Sequence, residues 1–225
     1  NYGTQPPLLY DLDNAYRYTG ETLSTPGKVK FLLPPSAQIT HYRLVNQESP
    51  LSLNNMEVRQ FLNLAASENQ SNYIIISNKS LFNDGSGTDQ VDLYRQYRSS
   101  LSGGGFNAKV YDIDELADQF AFGIKNHPDG VRNFILYASS TFFQQPEYVF
   151  LIGRGVNYMD LKQNAANPLC EKMNLVPTFG WPASDVLMAS PQGQCNPVLP
   201  IGRLGAVTGQ EVGYYLNKEI GRAHV

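Results

Sequence analysis

The sequence predicts an α/β fold in which a parallel, Rossmann-like sheet is covered by helices and preceded by a β-rich segment. Three observations carry this expectation. From Asn72 onward, the short apolar runs "NYIIIS" (72–77), "NAKVYDI" (107–113), "EYVFLIG" (147–153) and "PVLPIGRL" (197–204) alternate with stretches of helical period. The three consecutive isoleucines of the first run mark a strand buried on both faces, as a parallel sheet requires. Before Asn72, β-branched and aromatic residues flank a Pro-Pro-Ser break without any sustained helical period.

Taken in order, residues 1–24 read as loop with at most one strand. Residues 28–33, 34–38 and 39–46 then read as strand, turn and strand. The stretch 49–71 is ambiguous, because Val58, Phe61, Leu62 and Ala65 suit a helical face while Met56, Val58 and Leu62 also suit a strand. After the strand at 72–77 comes a helix, with Val91, Leu93, Tyr94, Tyr97 and Leu101 mostly at helical spacing. Thr88 is placed to cap its start and Gly103–Gly105 to end it. Following the strand at 107–113, "HPDGVRNFILYASS" (127–140) gives a second helix: Pro128 suits its first turn, Asp129 complements its dipole, and Val131, Phe134, Ile135 and Ala138 form one face. The third strand, 147–153, leads through a long Asn- and Pro-rich connection to the fourth. There Thr208 and Glu211 form a capping box for a last helix over 208–220. Sites in such sheets lie beyond the carboxyl ends of the strands, here Ser77–Asn83, Asp112–Asp114, Gly153–Asp160 and Gly202–Arg203.

The bulk composition excludes several classes. A chain of 225 residues with 42% hydrophobic content can bury a core of ordinary size. The net charge is −3 and no run of like charges forms a basic stripe, so nucleic acid is not an expected partner. The longest apolar runs fall well short of a membrane helix, so no transmembrane segment is expected in this chain. The first residue is Asn1 and no signal-peptide pattern precedes the folded part, so the chain reads as a piece of something longer.

Local signals for chemistry are weak when taken singly. "GGGF" at 103–106 follows a helix and precedes a strand, the wrong order for a phosphate cradle. Gly153 and Gly155 partly match a dinucleotide fingerprint, but the third glycine is missing and no clear helix follows, so a tight turn is the plainer reading. A Cys–His nucleophilic pair would have to come from Cys170 or Cys195 with His41, His127 or His224, and none stands in a suggestive context; His127 reads as a turn or capping residue. Whether the two cysteines pair stays open. Metal-ligand spacings are absent. Asp112, Asp114 and Glu115 have the oxygens to hold calcium, although solvated loop acids are the more ordinary reading.

In combination, the segments are more specific. "NYIIIS", "YDIDELADQFAFGIKNHPDGVRNFI", "EYVFLIGRGVNYMD", "VPTF", "SDVLMA" and "PIGRLGAVTGQEVGYYLNK", in this order and spacing, resemble the gingipain-type cysteine peptidases, with the nearest similarity to their type IX secretion sortase branch. The matching positions are Asp129, Arg132 and, one place late, Phe134; Gly153, Gly155, Tyr158 and Asp160; Val176, Pro177 and Thr178; Ser184 and Asp185; and Ile201, Gly202, Arg203 and Glu211. Arg154 departs from the pattern, standing where the family usually has Asp.

The resemblance implies a caspase-like α/β half-domain over 67–218, preceded by the end of a β-rich domain over 1–66. It implies that the catalytic His and Cys lie beyond Val225, so this chain alone is expected to be inactive. No cofactor is required on this reading, and calcium is left open. For the intact protein it implies export to the outer membrane or cell surface of a diderm bacterium. The implied partners are protein substrates with C-terminal secretion signals, which are removed, and other type IX secretion components. An exported gingipain-like protease and a non-catalytic envelope scaffold are the alternatives. Residues 219–225, "EIGRAHV", read as the translation of a sequencing-library adapter, with native sequence ending near Lys218.

Overall fold

A computed structural model describes residues 5–23, 25, 27–48, 58–164 and 166–223. The chain divides into two compact units, residues 1–58 and 59–225.

The first unit is antiparallel and holds more strands than its sequence suggests. These are β1 (Leu8–Asp11), β2 (Tyr16–Thr19), β3 (Glu21–Thr22), β4 (Val29–Lys30) and β5 (Tyr42–Val45). Strand β1 is central, pairing with β2 on one side and β5 on the other, while β3 pairs with β4. Residues 28–33 and 39–46 do contain strands, β4 and β5, but these pair with β3 and β1 and not with each other, and residues 5–23 are not mainly loop. What their polar sequence hides is a tight turn. Buried Asp11 accepts from the Asp13 and Asn14 backbone N–H groups at 3.1 and 2.9 Å and from the Asn14 side chain, closing β1 onto β2. The Asn14 side-chain bond holds the Asp11 carboxyl below its ordinary range.

The second unit is a three-layer sandwich. Its four strands are β6 (Tyr73–Ser77), β7 (Ala108–Asp112), β8 (Tyr148–Ile152) and β9 (Ile201–Leu204), all parallel in the order β7-β6-β8-β9. The helices are α1 (Gln90–Ser99), α2 (Ile113–Phe120), α3 (Asp129–Thr141), α4 (Tyr158–Gln163), α5 (Pro168–Met173) and α6 (Gly209–Ala223). All five residues of β6 are buried, and the two-residue period of a strand divides them between two cores. Ile74 and Ile76 face Leu116, Phe134, Ile135 and Leu151, on the side of α2 and α3. Tyr73 and Ile75 face Val91, Tyr94, Val212 and Leu216, on the side of α1 and α6. The second core includes a buried polar link: the Tyr73 and Tyr94 hydroxyls lie 3.0 Å apart, and Arg98 donates to the Tyr94 hydroxyl while its guanidinium covers the Tyr73 ring at 5.0 Å.

Several details of the second unit differ from expectation. Asp89, not Thr88, caps α1, its carboxylate accepting from the Asp92 N–H at 2.9 Å; a carboxylate is the stronger acceptor at a helix N-terminus. Asp112, Asp114 and Glu115 are not loop acids: Asp112 ends β7 and the other two lie in the first turn of α2, where their charge complements the dipole. A short helix, α4, does follow the Gly153–Gly155 turn, capped by Asn157. The capping box of α6 forms with a shift of one residue: Thr208 Oγ1 accepts from the Glu211 N–H at 3.3 Å, and the Glu211 carboxylate accepts from the Val207 N–H at 2.8 Å. Helix α6 continues through the segment read as a tail, and Ile220 packs against the second core. Replacing Thr208 with Ala is expected to cost about 1 kcal/mol, as cap losses do; a urea midpoint unchanged within error would show that the cap contributes nothing. Met56 and His224 lie outside the described residues.

Candidate functional site

The carboxyl ends of β8 and β9 are tied to the loops beyond them by Arg203. It projects from β9, only 14% of its side chain is exposed, and every guanidinium nitrogen is used. Nε and Nη2 form a two-pronged fork on Asp185 Oδ2 and Oδ1, both at 2.8 Å. Nη1 donates to the carbonyls of Gly153 at 2.7 Å and Val176 at 2.8 Å, and Nη2 donates to that of Pro177 at 3.0 Å. One side chain thus joins the end of β8, the 174–178 connection and the turn at 184–188. Arginine suits this junction because its planar fork matches a carboxylate and leaves further donors for carbonyls.

The two glycines allow the 174–178 connection to close on the strand end. Gly153 has φ +144°, and a Cβ there would stand 2.9 Å from Val176 Cγ2. A Cβ on Gly155 would stand 2.8 Å from the Val176 carbonyl oxygen, the same atom that accepts from Arg203. With those positions bare, the Arg154 carbonyl accepts from the Leu175 and Val176 N–H groups, and Asn174 Oδ1 accepts from the Val156 N–H at 2.9 Å. Thr178 Oγ1 donates to Asp185 at 3.3 Å, and the Ser184 N–H donates to the Phe179 carbonyl. Gly202 has no comparable need, since a Cβ there meets only ordinary contact with Phe150.

Gly153, Gly155, Val176, Pro177, Thr178, Asp185 and Arg203 therefore converge on one junction, with Ser184 beside it. Tyr158 and Asp160 do not join it; they lie in the first turn of α4, and Glu211 serves the start of α6. Arg132 reaches the same region from α3, pairing with Asp129 at 3.1 Å, donating to the Leu187 carbonyl and covering the Phe179 ring at 4.9 Å. Asn174 was not singled out from the sequence, where it is one Asn in an Asn-rich connection. Only the fold shows that it is buried, with its Nδ2 lacking a partner among the described residues.

At the end of β7, Asp112 is buried and its balancing charge is Lys79, whose Nζ is 3.0 Å from Oδ2. The pairing is coulombic, since neither Asp112 oxygen accepts a hydrogen bond of good direction. Lys79 also donates to Glu115 at 3.0 Å. Asp112 first and Glu115 second hold the Lys79 ammonium above its ordinary pKa. The ion pair's stabilisation is thus complete below the ordinary lysine value, about 10.4, and is lost as pH rises through the raised one. The stability difference between the chain and its Lys79→Met variant is expected to be constant up to about pH 10 and to shrink only above it, read from urea midpoints; a gap that already shrinks below that value, or that never shrinks above it, would refute this. No group of three or more His, Cys, Asp or Glu among the described residues is arranged to hold a metal ion.

The cysteine and histidine candidates do not converge. Cys170, on α5, and Cys195, exposed in a loop, are both free thiols. His127 Nδ1 accepts from the Asp129 N–H at 3.2 Å, a helix-start role, and His41 pairs with Asp13 at 3.2 Å in the first unit. Among the described residues no helix is long and apolar enough to cross a membrane.

This geometry has relatives. A family model for peptidase family C25 matches residues 66–222. Among solved structures, the chain is similar to the crystal structure of dimeric latent PorU from Porphyromonas gingivalis, at 17% identity with a TM-score of 0.62 over 95% of this chain. The chain spans 22% of the length of that protein. No curated protein matches. At that identity the structural likeness shows the fold, a caspase-like half-domain with its antiparallel companion. The family model spans most of the second unit, from the approach to β6 into α6, and more than half of the chain, so the chain belongs to peptidase family C25, the gingipain family of cysteine peptidases.

Proposed function

We propose that the protein to which this chain belongs is a cysteine endopeptidase acting as a type IX secretion sortase, which removes C-terminal secretion signals from exported cargo at the outer membrane. The observation that favours this over an exported gingipain-like protease is the reach of the structural likeness. It extends over 95% of the chain and so takes in the antiparallel unit as well as the peptidase segment.

In the proposed reaction, a thiolate attacks the scissile carbonyl, backbone N–H groups stabilise the oxyanion, and the C–N bond breaks as a histidine gives its proton to the leaving amine. An acceptor nucleophile, deprotonated by the same histidine, then attacks the thioester and releases the thiolate. This chain brings no Cys–His pair together among its described residues. Its contribution is the Arg203 junction, which fixes the ends of β8 and β9 against the 174–178 and 184–188 segments. The thiol and imidazole are proposed to come from residues beyond Val225.

Two assays test the reading. The purified chain is expected to show no thiol-dependent peptidase activity, and any activity abolished by alkylation or by Cys170→Ser with Cys195→Ser would overturn that assignment. The product of the longer reading frame is expected to release C-terminal signal peptides from cargo, with alkylation stopping the release.

A further inference from the structure

A concavity of about 350 Å³ beyond the carboxyl end of β8 is lined by Met159, Asp160, Gln163 and Trp181 and takes no part in the junction. Trp181 is 73% exposed and Met159 42%, so two large apolar side chains face solvent where the fold gains little from them. Asp160 and Gln163 lie three residues apart on α4 and share a face. Neither the Asp160 carboxylate nor the Gln163 amide has a hydrogen-bond partner among the described residues.

Both walls are anchored. Trp181 lies on the short segment between Pro177, whose carbonyl is held by Arg203, and Asp185, which takes the fork. Helix α4 begins just after Val156, whose N–H is held by Asn174. The concavity is therefore set by the same junction that fixes the strand ends, and it lies on the face of the sheet where α/β folds bind ligands.

Its chemistry selects an occupant. An indole and a thioether favour an aromatic ring, through offset ring contacts and sulfur–aromatic contact. The carboxylate and the amide at the rim supply an acceptor and a donor, the complement of a peptide N–H and C=O. A lone cation would use Asp160 and leave Gln163 unpaired, and an acidic side chain would be repelled by Asp160. We propose that this concavity is a subsite for an aromatic side chain of an extended peptide, with Met159 and Trp181 taking the ring and Asp160 and Gln163 the adjoining backbone amide. That the peptide is a substrate rests on the peptidase reading; the pocket's preference does not.

Trp181 is the only tryptophan in the chain, so its emission reports this pocket alone. The probes are blocked tripeptide amides with Phe, Leu, Lys or Asp between two alanines, titrated into the chain. Saturable quenching or a blue shift is expected at the lowest concentration for the Phe peptide, at least ten-fold below the Lys peptide, with no response to the Asp peptide. Met159→Ala is expected to weaken Phe-peptide binding five- to ten-fold with an unchanged circular dichroism spectrum, and Asp160→Asn to admit the Asp peptide. No saturable response, equal responses to all four, preference for Lys, or a stronger response to a free sugar such as maltose would each overturn the proposal. The readout is binding without turnover, so a failed peptidase assay would reject the reading above and leave the subsite standing.

Discussion

Replacing Arg203 with alanine is expected to destabilise the second unit by about 3–5 kcal/mol, the range for removing one partner of a buried charge pair. On a native stability of roughly 5–15 kcal/mol, that is a large share. The loss is large because the guanidinium side chain is only 14% exposed and all five of its hydrogen bonds end on groups that have little else to bond with. Without it, Asp185 keeps a partly buried charge with only the Thr178 hydroxyl beside it, and three carbonyls lose a donor. Arg203→Lys is expected to recover a minor part, since one ammonium cannot span both Asp185 oxygens and the Gly153, Val176 and Pro177 carbonyls. Urea unfolding followed by circular dichroism reads the effect. A double-mutant cycle with Asp185→Ala should show the two losses to be strongly non-additive. A loss below about 1 kcal/mol for Arg203→Ala, typical of exposed ion pairs, would mean that the junction is not what holds the strand ends.

Much of the second unit was legible because its signals are local and redundant. The three isoleucines of β6 could hardly be anything but a doubly buried strand, and the structure divides them between two cores as the period-two rule requires. The segments at 127–140 and 208–220 showed the same agreement of cap, period and dipole. What escaped was whatever depends on pairing at a distance or on brevity. The strands of the first unit are two to four residues long, too short for alternation to stand out, and they are held by partners up to dozens of positions away. Helices α2 and α4 were missed for a related reason. Acids just after a strand look like loop, and six residues after a glycine pair give no measurable period.

The site was legible as a set of positions and not as a mechanism of contact. Gly153, Gly155, Asp185 and Arg203 come from three separate stretches, and nothing in their spacing says that one guanidinium reaches all of them. The matched positions also mixed kinds. Tyr158 and Asp160 lie on α4, away from the junction, and Glu211 completes a helix cap. Trp181 carries no signal in the sequence, because a single aromatic in a Gly- and Pro-rich loop is ordinary until the fold sets it in one pocket with Met159.

Gly153→Ala is the second large effect, expected at about 2–4 kcal/mol from two separable sources. At φ +144° the backbone occupies a region that L-residues with a side chain scarcely enter, so the first source is local strain independent of neighbours. The second is steric: the new methyl would lie 2.9 Å from Val176 Cγ2 and 3.3 Å from Leu175 Cβ, in a junction where the Arg203 hydrogen bonds keep the 174–178 connection from retreating. Val176→Ala removes the first of those contacts and leaves the strain. The pair Gly153→Ala with Val176→Ala should therefore be less destabilised than the sum of the two single changes, yet remain well below the parent chain in urea midpoint. Full additivity would show that Val176 does not press on the turn. Complete recovery would show that the backbone accepts a side chain there, and that the glycine serves only to make room.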